Sequence, residues 1–201
     1  MDDSLLVIQA KEGNQEAFNA LMELYQTKVY NLALRMTGSP EDAADLTQEA
    51  FLNAWRGLPS FRGGSSFSTW LYRLTNNACI DFLRREKRRK TVEAGFSMDD
   101  EEQNYAELVP DESPAPQAML EGKELKEAIQ RGLAQLSEEH RQVLVLREVN
   151  GLSYSEIAQI TGMEEGTIKS RIARARISLR KILQEDGNFF VPPSSMKKET
   201  K

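Results

Sequence analysis

Six cations crowd one short stretch. GTIKSRIARARISLRK, Gly166 to Lys181, carries Lys169, Arg171, Arg174, Arg176, Arg180 and Lys181 and contains no acid. The chain as a whole is acidic, with 26 Lys+Arg against 31 Asp+Glu and a net charge of -5. Such a segment repels itself unless an anion neutralises it, and ordinary solvated helix faces mix both signs, often as i,i+4 pairs. At about 100° per residue, Ile168, Ile172, Ala175, Leu179 and Ile182 fall on one narrow apolar stripe. Lys169, Arg176 and Arg180 lie to one side of that stripe, and Arg171, Arg174 and Lys181 to the other. Thr167, Ser170 and Ala173 are small enough not to obstruct close approach. The outer surface suits a DNA major groove, with cations on phosphates and a few side chains reaching base edges.

The elements that position this face are helices. Ser153-Tyr154-Ser155-Glu156 is a capping box, predicting a short helix through Ile160. Thr161-Gly162 then turns the chain into the cationic helix, a helix-turn-helix pattern. Upstream, helices are predicted over 117–134 and 138–148, the second capped by Ser137 and closed by Asn150-Gly151. In the first half, Phe18, Leu21, Met22, Leu24, Tyr25, Val29, Leu32 and Met36 recur at helical steps until Gly38. Ser39-Pro40-Glu41-Asp42 starts a second helix, burying Ala43, Leu46, Ala50, Ala54 and either Leu52 or Phe51 before Gly57-Leu58-Pro59 breaks it. A third runs from Phe67 towards Arg89. The expected class is all-α, with two small helical domains.

RREKRRK, Arg84 to Lys90, has six bases and one acid, and Thr91 to Pro116 has acids and no base. That contrast places a flexible acidic linker over 91–116 between domains 1–90 and 117–186. The tail 187–201, with Pro192 and Pro193, is expected to be disordered.

Composition excludes several classes. Cys79 is the only cysteine and His140 the only histidine, so neither an internal disulfide nor a Cys/His zinc cluster can form. No paired-carboxylate, phosphate-cradling or nucleophile motif points to an enzyme, and no cofactor or metal is expected. Cys79, beside Ile80 at apolar helix spacing, reads as a packed side chain. MDDSLLVIQAKEG has acids where a signal peptide carries bases, and no stretch reaches the roughly 18 apolar residues of a membrane span. A soluble cytoplasmic protein is expected.

Four stretches together resemble bacterial RNA polymerase sigma factors of the extracytoplasmic-function (ECF) group. GLSYSEIAQITGMEEGTIKSRIARARISLRK resembles region four, which reads the promoter -35 element. DLTQEAFLNAW, Asp45 to Trp55, resembles the part of region two that docks on the polymerase β′ clamp helices. SFRGGSSFSTWLYRLTNNACIDFLRR, Ser60 to Arg85, resembles the part that melts and reads the -10 element, and the short hinge matches the ECF layout.

The resemblance implies residues as well. Thr167, Lys169, Ser170, Arg171, Ala173 and Arg174 would meet the -35 element, though Lys169 and Ala173 stand at variable positions of the pattern. Asp45, Gln48 and Glu49 share one helical face to which Phe51 or Trp55 can add an aromatic anchor, and Asp45, Gln48, Glu49 and Phe51 would bind core polymerase. Unpaired bases are held by stacking, polar contacts and close backbone approach. Phe61, Arg62, Gly63, Gly64, Ser65 and Ser66 would capture a -10 base, with Trp70, Arg73, Asn76 and Asn77 on the adjoining helix. Trp70 and Tyr72 fit core packing equally well. Arg84, Arg85, Lys87, Arg88 and Arg89 would neutralise phosphates. Implied partners are core RNA polymerase (β′ clamp helices and β flap), promoter DNA and an anti-sigma factor, often membrane-anchored. The rival reading, a regulator binding an operator unaided through its helix-turn-helix, leaves the first half's basic helix end and glycine-serine loop without a role.

Overall fold

Eight α-helices make up the computed structural model, which describes residues 3–93 and 117–185; among these there is no strand. They are α1 (Ser4–Lys11), α2 (Gln15–Thr37), α3 (Pro40–Gly57), α4 (Phe67–Glu93), α5 (Gln117–Ala134), α6 (Glu138–Leu144), α7 (Tyr154–Thr161) and α8 (Glu165–Glu185). A 3-10 turn, Leu58–Ser60, follows α3, and a π-helical segment, Val145–Val149, follows α6. The expected linker beyond residue 93 and the expected tail from 187 lie outside the described residues.

Local chemistry accounts for the helix ends. Asn14 Oδ1 accepts from Ala17 N at 3.1 Å and starts α2; Gly38, at φ 82°, stops it in the left-handed region. Ser39 Oγ accepts from Asp42 N at 3.2 Å, with Pro40 in the first turn of α3 and Glu41 and Asp42 at its positive end. Ser66 Oγ accepts from Thr69 N at 3.0 Å at the start of α4. The capping box of α7 is complete: Glu156 N donates to Ser153 Oγ at 3.2 Å, and Ser153 N donates to Glu156 Oε2 at 2.8 Å.

Helix α1 lies ahead of the helices that apolar periodicity predicts, and at eight residues it is too short for that pattern to mark. Val7 and Ala10 bury its inner face against α2 while Leu5 and Ile8 stay exposed. Tyr25 Oη donates to Asp3 Oδ2 at 2.6 Å, and Lys11 Nζ donates to Phe61 O at 2.7 Å, tying this helix to the loop before α4.

The helix expected over 138–148 changes pitch instead. After Leu144 the backbone widens, and Asn150 N reaches Val145 O at 3.3 Å. Val143, Leu144, Val145 and Leu146 are all buried, and four consecutive residues cannot share one helix face. This segment is covered on two sides, by α8 against α6 and by α2 against the π turn.

The two halves therefore do not stand apart. Helix α2 packs on α5 and on the π turn, α4 packs on α7, and one continuous hydrophobic core runs through both.

Candidate nucleic-acid interface

Helix α8 buries Ile168, Ile172, Ala175 and Leu183, with Leu179 and Ile182 partly buried beside them, as its periodicity requires. Its start is set by the turn at Gly162, φ 72°. Close packing with α5 depends on Gly132, where a Cβ would stand 2.8 Å from Leu179 Cδ1. Thr167, Ser170, Ala173 and Arg174 are exposed on the outer surface, and Arg174 has no ion-pair partner among the described residues.

The flanking cations are held in place by other elements. Arg171 Nη1 lies 2.6 Å from Glu139 Oε2, and the Arg171 side chain is only 26% exposed. On the opposite flank Arg176 Nε donates to Glu148 Oε1 at 3.0 Å, and that carboxylate holds the guanidinium charged beyond its already high ordinary value. Lys169 Nζ sits 5.3 Å from the Tyr154 ring centroid, and the Arg147 guanidinium 4.9 Å from it. The segment lacks acids in sequence, yet folding brings Glu139 and Glu148 to it. What remains open is a strip through Ser170, Ala173 and Arg174, bounded by anchored charges.

The loop before α4 presents Arg62, Gly63, Gly64 and Ser66 to solvent, with Ser65 half-buried. Gly63 has φ 73°, which a side chain would strain, and no atom lies near a Cβ added at Gly64. Backbone is thus accessible to a flat ligand. Phe61 is half-buried, its ring 5.0 Å from Trp70 and 6.3 Å from Phe67. Ser66 is also the cap of α4, so its hydroxyl already has a structural task.

Along α4, Arg73 and Asn77 are exposed; Trp70 and Tyr72 are core residues at 8% and 3% exposure. Burial, first among several causes, raises the Tyr72 phenol above its ordinary value. Asn76 is only 2% exposed, and its Oδ1 accepts from Gln142 Nε2 at 3.1 Å, across to the other half. Arg84, Arg85, Lys87, Arg88 and Arg89 lie exposed near the end of the helix. Cys79 is fully buried, and burial pushes its thiol up to about 12.

On α3, Asp45, Gln48 and Glu49 are exposed along one side. Phe51 is buried at 4%, edge-on to Phe18 at 6.5 Å, whereas Leu52 is 54% exposed. A groove of about 380 Å³ between α2 and α3 is lined by Gln15, Phe18, Asn19, Met22, Gln48, Phe51, Leu52 and Trp55. Sequence reasoning missed Leu52 as an exposed apolar group here, with partly buried Met22 across the groove. The signal was Leu52 standing four residues after Gln48, on the same face.

Residues 21–89 match the family model described as Sigma-70 region 2, and residues 126–179 match Sigma-70, region 4. The ECF RNA polymerase sigma factor SigW of Bacillus subtilis (strain 168) is 36% identical over 177 residues, 88% of this chain and 94% of that protein. The ECF RNA polymerase sigma-E factor of Escherichia coli (strain K12) is 39% identical over 176 residues, 88% of this chain and 91% of that protein. Among solved structures, the sigma factor RpoE in complex with the anti-sigma factor NepR from Bartonella quintana superimposes with a TM-score of 0.65 at 25% identity, covering 85% of this chain and 98% of that one. A cationic helix-turn-helix, an exposed glycine loop before a basic-ended helix and an apolar groove on the helix that exposes Asp45 and Glu49 thus occur together in a chain that belongs to the ECF group of RNA polymerase sigma factors.

Proposed function

We propose that the chain binds core RNA polymerase through α3 and reads promoters with two separate surfaces. The single observation that carries this is the outer strip of α8, an exposed Ser170–Ala173–Arg174 surface flanked by cations fixed in position by Glu139, Glu148 and Tyr154. Such a strip suits the -35 major groove: Arg174 at base edges, Ser170 and Thr167 at phosphate or base, Ala173 against a thymine methyl, Lys169 and Arg171 at the edges. The loop Phe61–Ser66 takes an unstacked -10 base, Arg62 and Asn77 supply polar contacts, and the basic end of α4 neutralises phosphates. Trp70 supports the loop from beneath rather than stacking on a base.

The groove takes a basic partner helix: Asp45 and Glu49, exposed on the same helix outside its lining, attract, and exposed Leu52 with half-buried Trp55 gives the apolar anchor in place of buried Phe51. The functional units are 1–90 and 117–186, joined by 91–116. The chain acts as a specificity subunit without a catalytic site, works in the cytoplasm, and is controlled by an anti-sigma factor, as RpoE of Bartonella quintana is bound by NepR. Membrane retention would come through that partner, since no helix among the described residues is long and apolar enough to cross a membrane.

Run-off transcription with core enzyme on a promoter library tests the reading. Addition of the chain should select promoters with fixed -10 and -35 words, and Gln48→Lys with Glu49→Lys should abolish the response. Core enzyme that starts at no promoter when the chain is added overturns it.

A further inference from the structure

The loop that carries Arg62, Gly63, Gly64 and Ser65 is held at its two ends. At the far end Ser66 caps α4, its Oγ accepting from Thr69 N at 3.0 Å. In between, the backbone N–H groups of Arg62, Gly63, Gly64 and Ser65 donate to no atom of the described residues. These donors are open to a ligand, but a run without backbone bonds of its own does not fix its own shape.

Phe61 fixes the near end. Its N–H donates to Leu58 O at 3.0 Å, and its ring lies 5.0 Å from that of Trp70. Its carbonyl is taken by Lys11, whose Nζ donates to Phe61 O at 2.7 Å from fifty residues upstream. Lys11 stands in the last turn of α1, and that helix is itself anchored. Val7 and Ala10 are buried, and Tyr25 Oη donates to Asp3 Oδ2 at 2.6 Å. The Tyr25 ring also lies 5.6 Å from that of Phe67, the first residue of α4. Helix α1 thus reaches both ends of the loop, at Phe61 through Lys11 and at Phe67 through Tyr25.

A trans peptide is planar, so its C=O and N–H point in opposite directions. The described peptides are all trans. Holding Phe61 O on Lys11 therefore turns Arg62 N–H away from α1 and sets the plane from which Gly63, at φ 73°, departs. We propose that Lys11 is a positioning residue for base capture. By gripping Phe61 O it orients the first peptide of the loop, and with it the direction in which the open donors of Arg62 to Ser65 meet a -10 base. Lys11 itself touches neither base nor phosphate. Without its bond the 61–62 peptide is free to rotate, and a loop of several orientations binds with only its competent fraction. The role of Lys11 rests on the assignment of the loop to the -10 element made above.

Holoenzymes carrying the wild-type chain, Lys11→Met and Lys11→Arg are compared on the promoter selected from the library, with all four bases at each -10 position. Gly64→Val, which adds bulk where nothing lies within 4 Å of a Cβ, marks the position that the loop reads. Lys11→Met should lower preference at that position about fivefold, the scale of one net hydrogen bond. The other -10 positions, the -35 ranking and the salt dependence of binding should not change. Lys11→Arg, which keeps donor and charge, should keep most of the preference. Lys11 is exposed, so thermal melts of the free variants should match the wild type. Preference that survives Lys11→Met, or that Lys11→Arg loses equally, overturns the proposal. So does weakening at every base with a salt slope lower by about one, which makes Lys11 a phosphate contact. A loss that follows a lowered melting temperature overturns it as well, since the bond is then only structural. If Gly64→Val leaves the wild-type preference intact at every -10 position, the loop assignment fails, and the role of Lys11 falls with it.

Discussion

Arg171 and Arg174 sit three residues apart on one helix and face different chemistry. Arg171 is drawn to the edge of α8 by Glu139 at 2.6 Å, while Arg174 stands in the open strip. A guanidinium already paired must exchange a carboxylate for a base edge, so its net gain on binding is smaller. Arg174→Ala is therefore expected to weaken recognition by about 1–3 kcal/mol and to relax preference at one -35 position. Arg171→Ala should lose less of that preference. Transcription across a set of -35 variants measures both, and unchanged ranking of the variants with Arg174→Ala would remove it from the reading surface. Residue identities along α8 were legible from spacing alone. The division of labour among them was not, since Glu139 and Glu148 are more than twenty residues away in the chain.

Helix α7 shows how one carboxylate serves two ends. Glu156 closes the capping box with Ser153 and accepts from Thr69 of α4. Hydrogen bonding from Ser153, the largest influence, holds its carboxyl below the ordinary 4.5, with burial opposing and Thr69 assisting. A depressed carboxyl stabilises the fold above its unfolded value and loses that contribution as pH falls through its folded value. Wild type should thus lose more stability than Glu156→Gln between pH 6 and pH 3, a window of about three units around the carboxylate range. Thermal melts of both chains across that window check this, and parallel curves would show that the carboxylate contributes nothing. The capping box, the Ser39-Pro40 start and the Gly38 and Gly162 stops were all readable in sequence, because each depends on neighbours within four residues. The π turn was not. VLVL at 143–146 is apolar all round, a pattern whose explanation is a second covering helix, and that helix, α2, lies in the other half.

At the scale of the whole molecule, the continuous core and the bonds from Arg141 and Gln130 to the end of α2 couple the region 2 and region 4 modules. Coupled modules unfold together. Calorimetry of the free chain should show one transition, and Gln130→Lys should split it into two; two transitions already in the wild type would mean that the seam contributes little to stability. The same coupling accounts for an otherwise awkward placement, a candidate DNA-contacting asparagine at 2% exposure.

Sequence by itself determined the helical class, most helix ends and the apolar stripe of α8, since periodicity and capping act over a few residues; the three surfaces proposed to meet polymerase and promoter came from the family resemblance. Tertiary structure alone decided that Phe51 turns inward and Leu52 outward, that Trp70 and Asn76 are buried, and that acids on α6 and the π turn restrain the cations of α8. The physical reason is range. Burial and ion pairing depend on which distant helix lies opposite, and no local spacing encodes that neighbour.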